Sequence, residues 1–161
     1  MSTSSKFNRA MDLLEQGLLA QQSGDIATAI ACYKKSLGLF PTADAHTCLG
    51  WAYSMRGDFK AAIAECKTAI RLDPEFGNPY NDIGVYLMEQ RKLDEAIPWF
   101  EEAKRARRYE PRHFPYINLG HIYVIKGMLL KAQDEFAHAL RLHPQDETAE
   151  RALREIRIQL N

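Results

Sequence analysis

Apolar residues recur along this chain at spacings of three and four, in segments of roughly a dozen residues separated by short polar breaks. The last such stripe runs Ala149, Leu153, Ile156, Leu160, the apolar face of one amphipathic helix. Three series of residues share one longer register. Glycines fall at Gly17, Gly50, Gly84 and Gly120, alanines at Ala29, Ala62, Ala96 and Ala132, and Tyr33, Cys66, Phe100 and Phe136 form the third series, all with gaps of 33, 34 and 36. Gly24, Gly57 and Gly127 stand seven residues after members of the glycine series, where one helix must stop and another begin. Pro41, Pro74 and Pro144 close three of the four units, since proline cannot continue a helix. Between these marks the segments are rich in Ala, Leu, Glu and Lys, so each unit is predicted to be two helices of ~12–15 residues joined by a tight turn.

These residues resemble the tetratricopeptide-repeat pattern, in which a bulky residue, Leu-Gly, Tyr, Ala, an aromatic and Pro recur every ~34 residues. The second unit carries His46, Leu49-Gly50, Tyr53, Gly57, Ala62, Cys66, Ala69 and Pro74; the fourth carries Tyr116, Leu119-Gly120, Tyr123, Gly127, Ala132, Phe136, Ala139 and Pro144. The third keeps Tyr80, Ile83-Gly84, Ala96, Phe100 and Ala103, and the first is degenerate in its first helix but retains Ala29, Tyr33 and Pro41. The resemblance implies an all-α, right-handed superhelical solenoid forming one domain over residues 1–161. Its four repeats are expected at about 10–42, 43–76, 77–112 and 113–146, followed by a capping helix at about 147–160. Small residues at the Gly and Ala positions are expected to let paired helices approach closely, with the aromatics filling space between one pair and the next. Pro98 is expected near the first turn of its helix.

In a stack of this kind the first helices line the concave surface. Angular spacing of ~100° per residue then aims Leu14, Leu18, Trp51, Met55, Asn78, Asn81, Val85, Met88, Phe114, Ile117, His121 and Val124 into or beside the groove. Exposed apolar surface of that extent marks an interaction site, with Trp51 and Phe114 as natural anchors and Asn78 and Asn81 as hydrogen-bonding partners for a bound backbone. The function expected is a non-catalytic adaptor or scaffold that holds an apolar or amphipathic segment of a partner protein. Two alternatives stay open: the aliphatic residues pack between neighbouring first helices, or residues 1–9 or a second copy in a homodimer cover the groove. Relatives that bind acidic chaperone tails use a clamp of Lys, Asn and Arg; the matching positions here are Leu14, Leu18, Cys48, Asn78 and Asp82, which disfavours that mode.

Composition narrows the classes further. Lys+Arg and Asp+Glu are 21 each, so no global field draws the chain to nucleic acid or an anionic membrane surface. One basic stretch, Lys104, Arg105, Arg107, Arg108 and Arg112, is a candidate secondary site for an acidic partner or RNA. Its glutamate neighbours and the neutral chain favour a solvated helix end. No apolar run of ~20 residues could span a bilayer, and the first residues lack the unbroken apolar core of a secretory signal. Three cysteines without paired spacing are expected to be reduced thiols, pointing to the cytoplasm. The five histidines show no i, i+4 pair and no glycine-rich loop cradles phosphate, so no catalytic residue, metal or cofactor is expected.

Overall fold

The computed structural model describes residues 2–161, and all the regular structure among them is helical. Nine helices follow one another: α1 (Thr3–Gln22), α2 (Ile26–Leu39), α3 (Ala43–Met55), α4 (Phe59–Leu72), α5 (Asn78–Glu89), α6 (Leu93–Arg105), α7 (Phe114–Ile125), α8 (Leu129–Leu142) and α9 (Glu147–Leu160). They pack as consecutive pairs, α1 with α2 through α7 with α8, and α9 lies against α8. One alternative laid residues 1–9 over the groove; of these, 3–9 lengthen α1 by two turns, with Phe7 set edge-on to Phe40 at 5.2 Å between centroids, and residue 1 lies outside the described residues.

Within each pair the glycine series meets the third series. A Cβ on Gly84 would lie 2.6 Å from the Phe100 ring, and one on Gly120 equally close to Phe136. Phe100 and Phe136 are fully buried, as are Tyr33 and Cys66 at the same position in the first two units. The aromatics therefore seat on their own pair's glycine, where the sequence reading had put them between pairs. Pair-to-pair packing falls to other residues. Ile83 and Leu87 of α5 share a core with Ala62 and Cys66 of α4 and with Leu119 and Ile122 of α7. Leu153 and Ile156 of α9 close the final face against Phe136 and Ala139; Leu160, expected on that stripe, is exposed. The three larger buried clusters each cross a boundary between units or onto α9, which makes stability largely a property of stacked neighbours.

Helix ends follow local chemistry. Asp25, Thr42, Asp58 and Asp146 each accept a hydrogen bond from the backbone N–H three residues on, satisfying a donor the helix leaves open. Lys92 and Met128 hold the corresponding position before α6 and α8 without a side-chain cap. The turns inside pairs one, two and four pass through Gly24, Gly57 and Gly127 at positive φ; pair three makes the same turn with Arg91 at φ 62°. Pro98 is the sixth residue of α6, later than the first turn, and the helix runs on to Arg105.

Candidate functional site

The twelve residues expected along one groove separate into five groups. Leu14, Asn81 and Ile117 are buried, which corrects their assignment to an open surface. Leu14 packs with Ile30 and Leu49, Ile117 packs with Ala149 and Leu153, and the Asn81 side-chain oxygen accepts a 3.0 Å hydrogen bond from the Asn118 amide, tying α5 to α7. Val85 and Met88 are half-buried against the core shared by α4, α5 and α7. His121 and Val124 line a separate crevice with Arg151 and Glu155 of α9, and the His121 ring stands edge-on to Phe136; burial first, then Arg151, pushes that imidazole's pKa down. Phe114 is 43% exposed beside His113.

What remains together is a cleft between α3 and α5. Leu18, Trp51 and Asn78 line a cavity of about 360 Å³ there, joined by Asp44, Thr47, Cys48, Phe76 and Asp82. Asp44, Cys48 and Trp51 step by four and three along α3, and Asn78 and Asp82 step by four along α5, so each helix turns one face to the cavity. Trp51 is 49% exposed at its edge. Met55, one turn further along α3, is exposed too, its sulfur accepting a hydrogen bond from the Gln21 amide at 3.3 Å. Four of the five positions that correspond to a cationic clamp in tail-binding relatives, Leu18, Cys48, Asn78 and Asp82, lie in this cavity.

The electrostatics of the cleft are one-sided. Its lining has two carboxylates and no lysine, arginine or histidine. Asp82 is half-buried at the cavity wall, and desolvation there raises its carboxyl to about 7; no cation or hydrogen-bond donor among the described residues opposes it. Burial first, and then Asp44 and Asp82, push the Cys48 thiol up to about 12, so it stays protonated and a poor nucleophile at neutral pH.

The basic stretch is occupied internally. Arg108 stacks on Phe76 with its guanidinium carbon 3.9 Å from the ring centroid, pairs with Asp73 at 2.8 Å and reaches Asp44 at 3.5 Å. Its hydrogen bond holds the Asp73 carboxyl below the usual carboxylate range. Backbone bonds from Arg108 to Glu75 and from Gly77 to Arg108, both 2.9 Å, zip the connection after α6 onto the loop before α5. Arg105 pairs with Glu102, Arg107 with Glu75, Arg112 with Glu110 and the Arg107 carbonyl, and Lys104 with Glu101 and Glu135. Of the stretch expected as a secondary basic site, Lys104, Arg107 and Arg108 reach acids of neighbouring units, whereas Arg105 and Arg112 pair within unit three.

One grouping escaped the sequence because His113 stands thirty residues before His143 and Asp146 three beyond it. The ligating atoms of His113, His143 and Asp146 lie within 4.8 Å of one another, a donor set of the kind that holds a divalent ion. Two of its members already have structural tasks. Asp146 caps α9 through Ala149 while its other oxygen lies 3.5 Å from His113 Nε2. Burial and His143 push the His113 pKa down, which favours the neutral ring.

Comparison with known proteins agrees with the repeat. Tetratricopeptide-repeat models match residues 14–75, 80–108 and 115–146. The type IV pilus assembly protein PilF of Pseudomonas aeruginosa is 28% identical over 131 residues, spanning 81% of this chain and 52% of that protein. Tetratricopeptide repeat protein 36 of Xenopus tropicalis is 31% identical over 106 residues, spanning 63% and 52%. The chain thus spans about half the length of either relative. Among solved structures, that of Pseudomonas aeruginosa PilF superposes with a TM-score of 0.90 at 24% identity, covering 96% of this chain and 70% of the other. PilW, described as a type IV pilus biogenesis factor, gives 0.82 at 17% identity over 93% and 69%. Those two likenesses speak for the fold.

Proposed function

The chain belongs to the tetratricopeptide-repeat family, and from that premise we propose that it is a non-catalytic adaptor which takes a segment of a partner protein in the cleft between α3 and α5. The observation that carries this reading is Trp51, a large aromatic half exposed at the edge of a cavity rather than folded into the core that lies beside it. Leu18 extends the apolar surface into the cavity and Met55 extends it along α3, while Asn78 supplies an amide for a bound backbone. The protonated Cys48 thiol argues against cysteine chemistry in the cleft. PilF is named for pilus assembly, which supports a role in holding components together over turning over a substrate. None of the described helices is long and apolar enough to cross a membrane. Three free thiols support a reducing compartment, the cytoplasm, as the place of action.

The test is affinity capture from the source lysate with wild type and Trp51→Glu, after circular dichroism shows equal helicity and sedimentation shows equal mass. A partner retained by wild type and lost from the variant is the expected result. Equal recovery of the same proteins by both contradicts the cleft. A concentration-dependent dimer that the substitution disperses replaces the adaptor with a self-associating protein.

A further inference from the structure

The charge of the cleft selects among the segments that could enter it. Any segment covering Trp51 and Leu18 also removes water from Asp82, whose carboxylate has no partner among the described residues. A purely apolar segment would leave that charge sealed and unpaired or force it to take up a proton, and an acidic segment would add repulsion. Arg108, which stacks on Phe76 of the lining, serves Asp73 at 2.8 Å and Asp44 at 3.5 Å, so its charge is already shared between two other carboxylates. A lysine or arginine side chain meets both demands of the site, because its aliphatic stem lies on apolar surface while its head remains polar. Trp51 and Leu18 supply that surface, and the indole face attracts the cation besides.

We propose that the partner segment taken by this cleft carries a lysine or arginine whose charged head pairs with Asp82 while its stem lies against Trp51 and Leu18. The proposal rests on the reading that the cleft takes a partner segment, and it adds the chemistry of that segment. Asp44 lines the same cavity, four residues before Cys48 on α3, but is paired with Arg108 at 3.5 Å, which leaves Asp82 as the lining carboxylate without a partner among the described residues.

A pH dependence follows. The groups that face Asp82 are Asp44 and Cys48 of α3, Cys66 of α4, Tyr86 of α5 and Tyr109 of the connection after α6, with Arg108 beyond Asp44. Burial raises both thiols and both phenols so far that all four stay protonated at neutral pH. Asp82, raised by burial to about 7, changes charge there. A cation held against it favours the ionised form, so binding expels a proton and tightens as pH rises through that value.

The experiment selects a random peptide library displayed on phage against folded wild type, Asp82→Asn and Trp51→Glu, then measures selected peptides by fluorescence anisotropy at about pH 6 and about pH 8. Wild type is expected to enrich peptides that place Lys or Arg next to an aromatic or aliphatic residue. Replacing that cation by norleucine should weaken binding at least about tenfold. Affinity for wild type should rise several-fold between the two pH values, and Asp82→Asn should lose both the cation preference and the pH dependence. Enrichment of apolar peptides without a cation, equal on wild type and Asp82→Asn and lost on Trp51→Glu, overturns this inference and leaves the cleft reading standing. Acidic peptides on wild type overturn it as well. No enrichment on wild type relative to Trp51→Glu sinks the cleft reading itself. A wild-type dimer dispersed by Trp51→Glu puts a second copy in the cleft and overturns the partner.

Discussion

Desolvation at its half-buried place lifts the Asp82 carboxyl from its ordinary 3.8 to about 7, which favours the protonated form in the folded chain more than in the unfolded one. Because the folded value is the higher one, ionising Asp82 works against the fold. The penalty is absent below pH 4, grows as pH rises from there to about 7, and is constant above. Asp82→Asn, which keeps the shape and removes the charge, is therefore expected to raise the melting temperature more at about pH 8 than at about pH 5. An equal effect at both would show that Asp82 is paired or solvated in solution. Arg91 is a second residue under tension, with φ 62° where the other three pairs place glycine. A side chain there costs roughly 1–2 kcal/mol, of which glycine's added freedom in the unfolded chain returns part, so Arg91→Gly should stabilise by about 0.5–1 kcal/mol in urea unfolding. The sequence held that signal, since Arg91 stands seven residues after Gly84 as Gly57 does after Gly50. The burial of Asp82 was less visible, because its surroundings come from α3, α4 and the connection after α6.

At the scale of elements, the helices were legible because periodicity, glycine turns and proline stops all speak locally. Orientation within the groove was only partly legible. Angular spacing placed Ile117 and Asn81 with Trp51 and Asn78, but Ile117 is covered by α9 and Asn81 is engaged by Asn118. Both covers come from elements whose positions depend on stacking, not on the helix's own repeat. The ion pairs of the basic connection were hidden for the same reason: its partners Asp44, Asp73 and Glu75 lie some 30 to 65 residues earlier in the chain. Helix starts offer a cleaner test. Asp25 and Asp58 cap α2 and α4, whereas Met128 leaves α8 uncapped. Met128→Asp is expected to add about 1 kcal/mol to stability, read as a shifted urea midpoint with an unchanged slope. No gain would mean that the packing of half-buried Met128 outweighs the cap.

The whole molecule is a row of interfaces, so its stability should be distributed in the same way. Removing residues 147–161 strips Leu153 and Ile156 from Phe136 and Ala139. Hydrogen exchange is expected to quicken in α7 and α8 while α1 to α4 keep their protection. Uniform loss across all helices would contradict nearest-neighbour stacking. The same construction explains why a binding surface can occupy one junction alone. The cavity between α3 and α5 and the crevice between α7 and α9 are separate, and the apolar anchor and the uncompensated carboxylate both belong to the first.

The most direct test places a photo-crosslinking residue at Met55, beside Trp51 on α3, and separately at Ala64, exposed on α4 outside the cleft. Illumination in source-cell lysate is expected to link a partner through position 55 and not through 64, with the linked peptide bearing a lysine or arginine near the attachment point. Linkage through 64 alone, or none through 55, would contradict the assignment of the cleft between α3 and α5 as the place where this protein holds its partner.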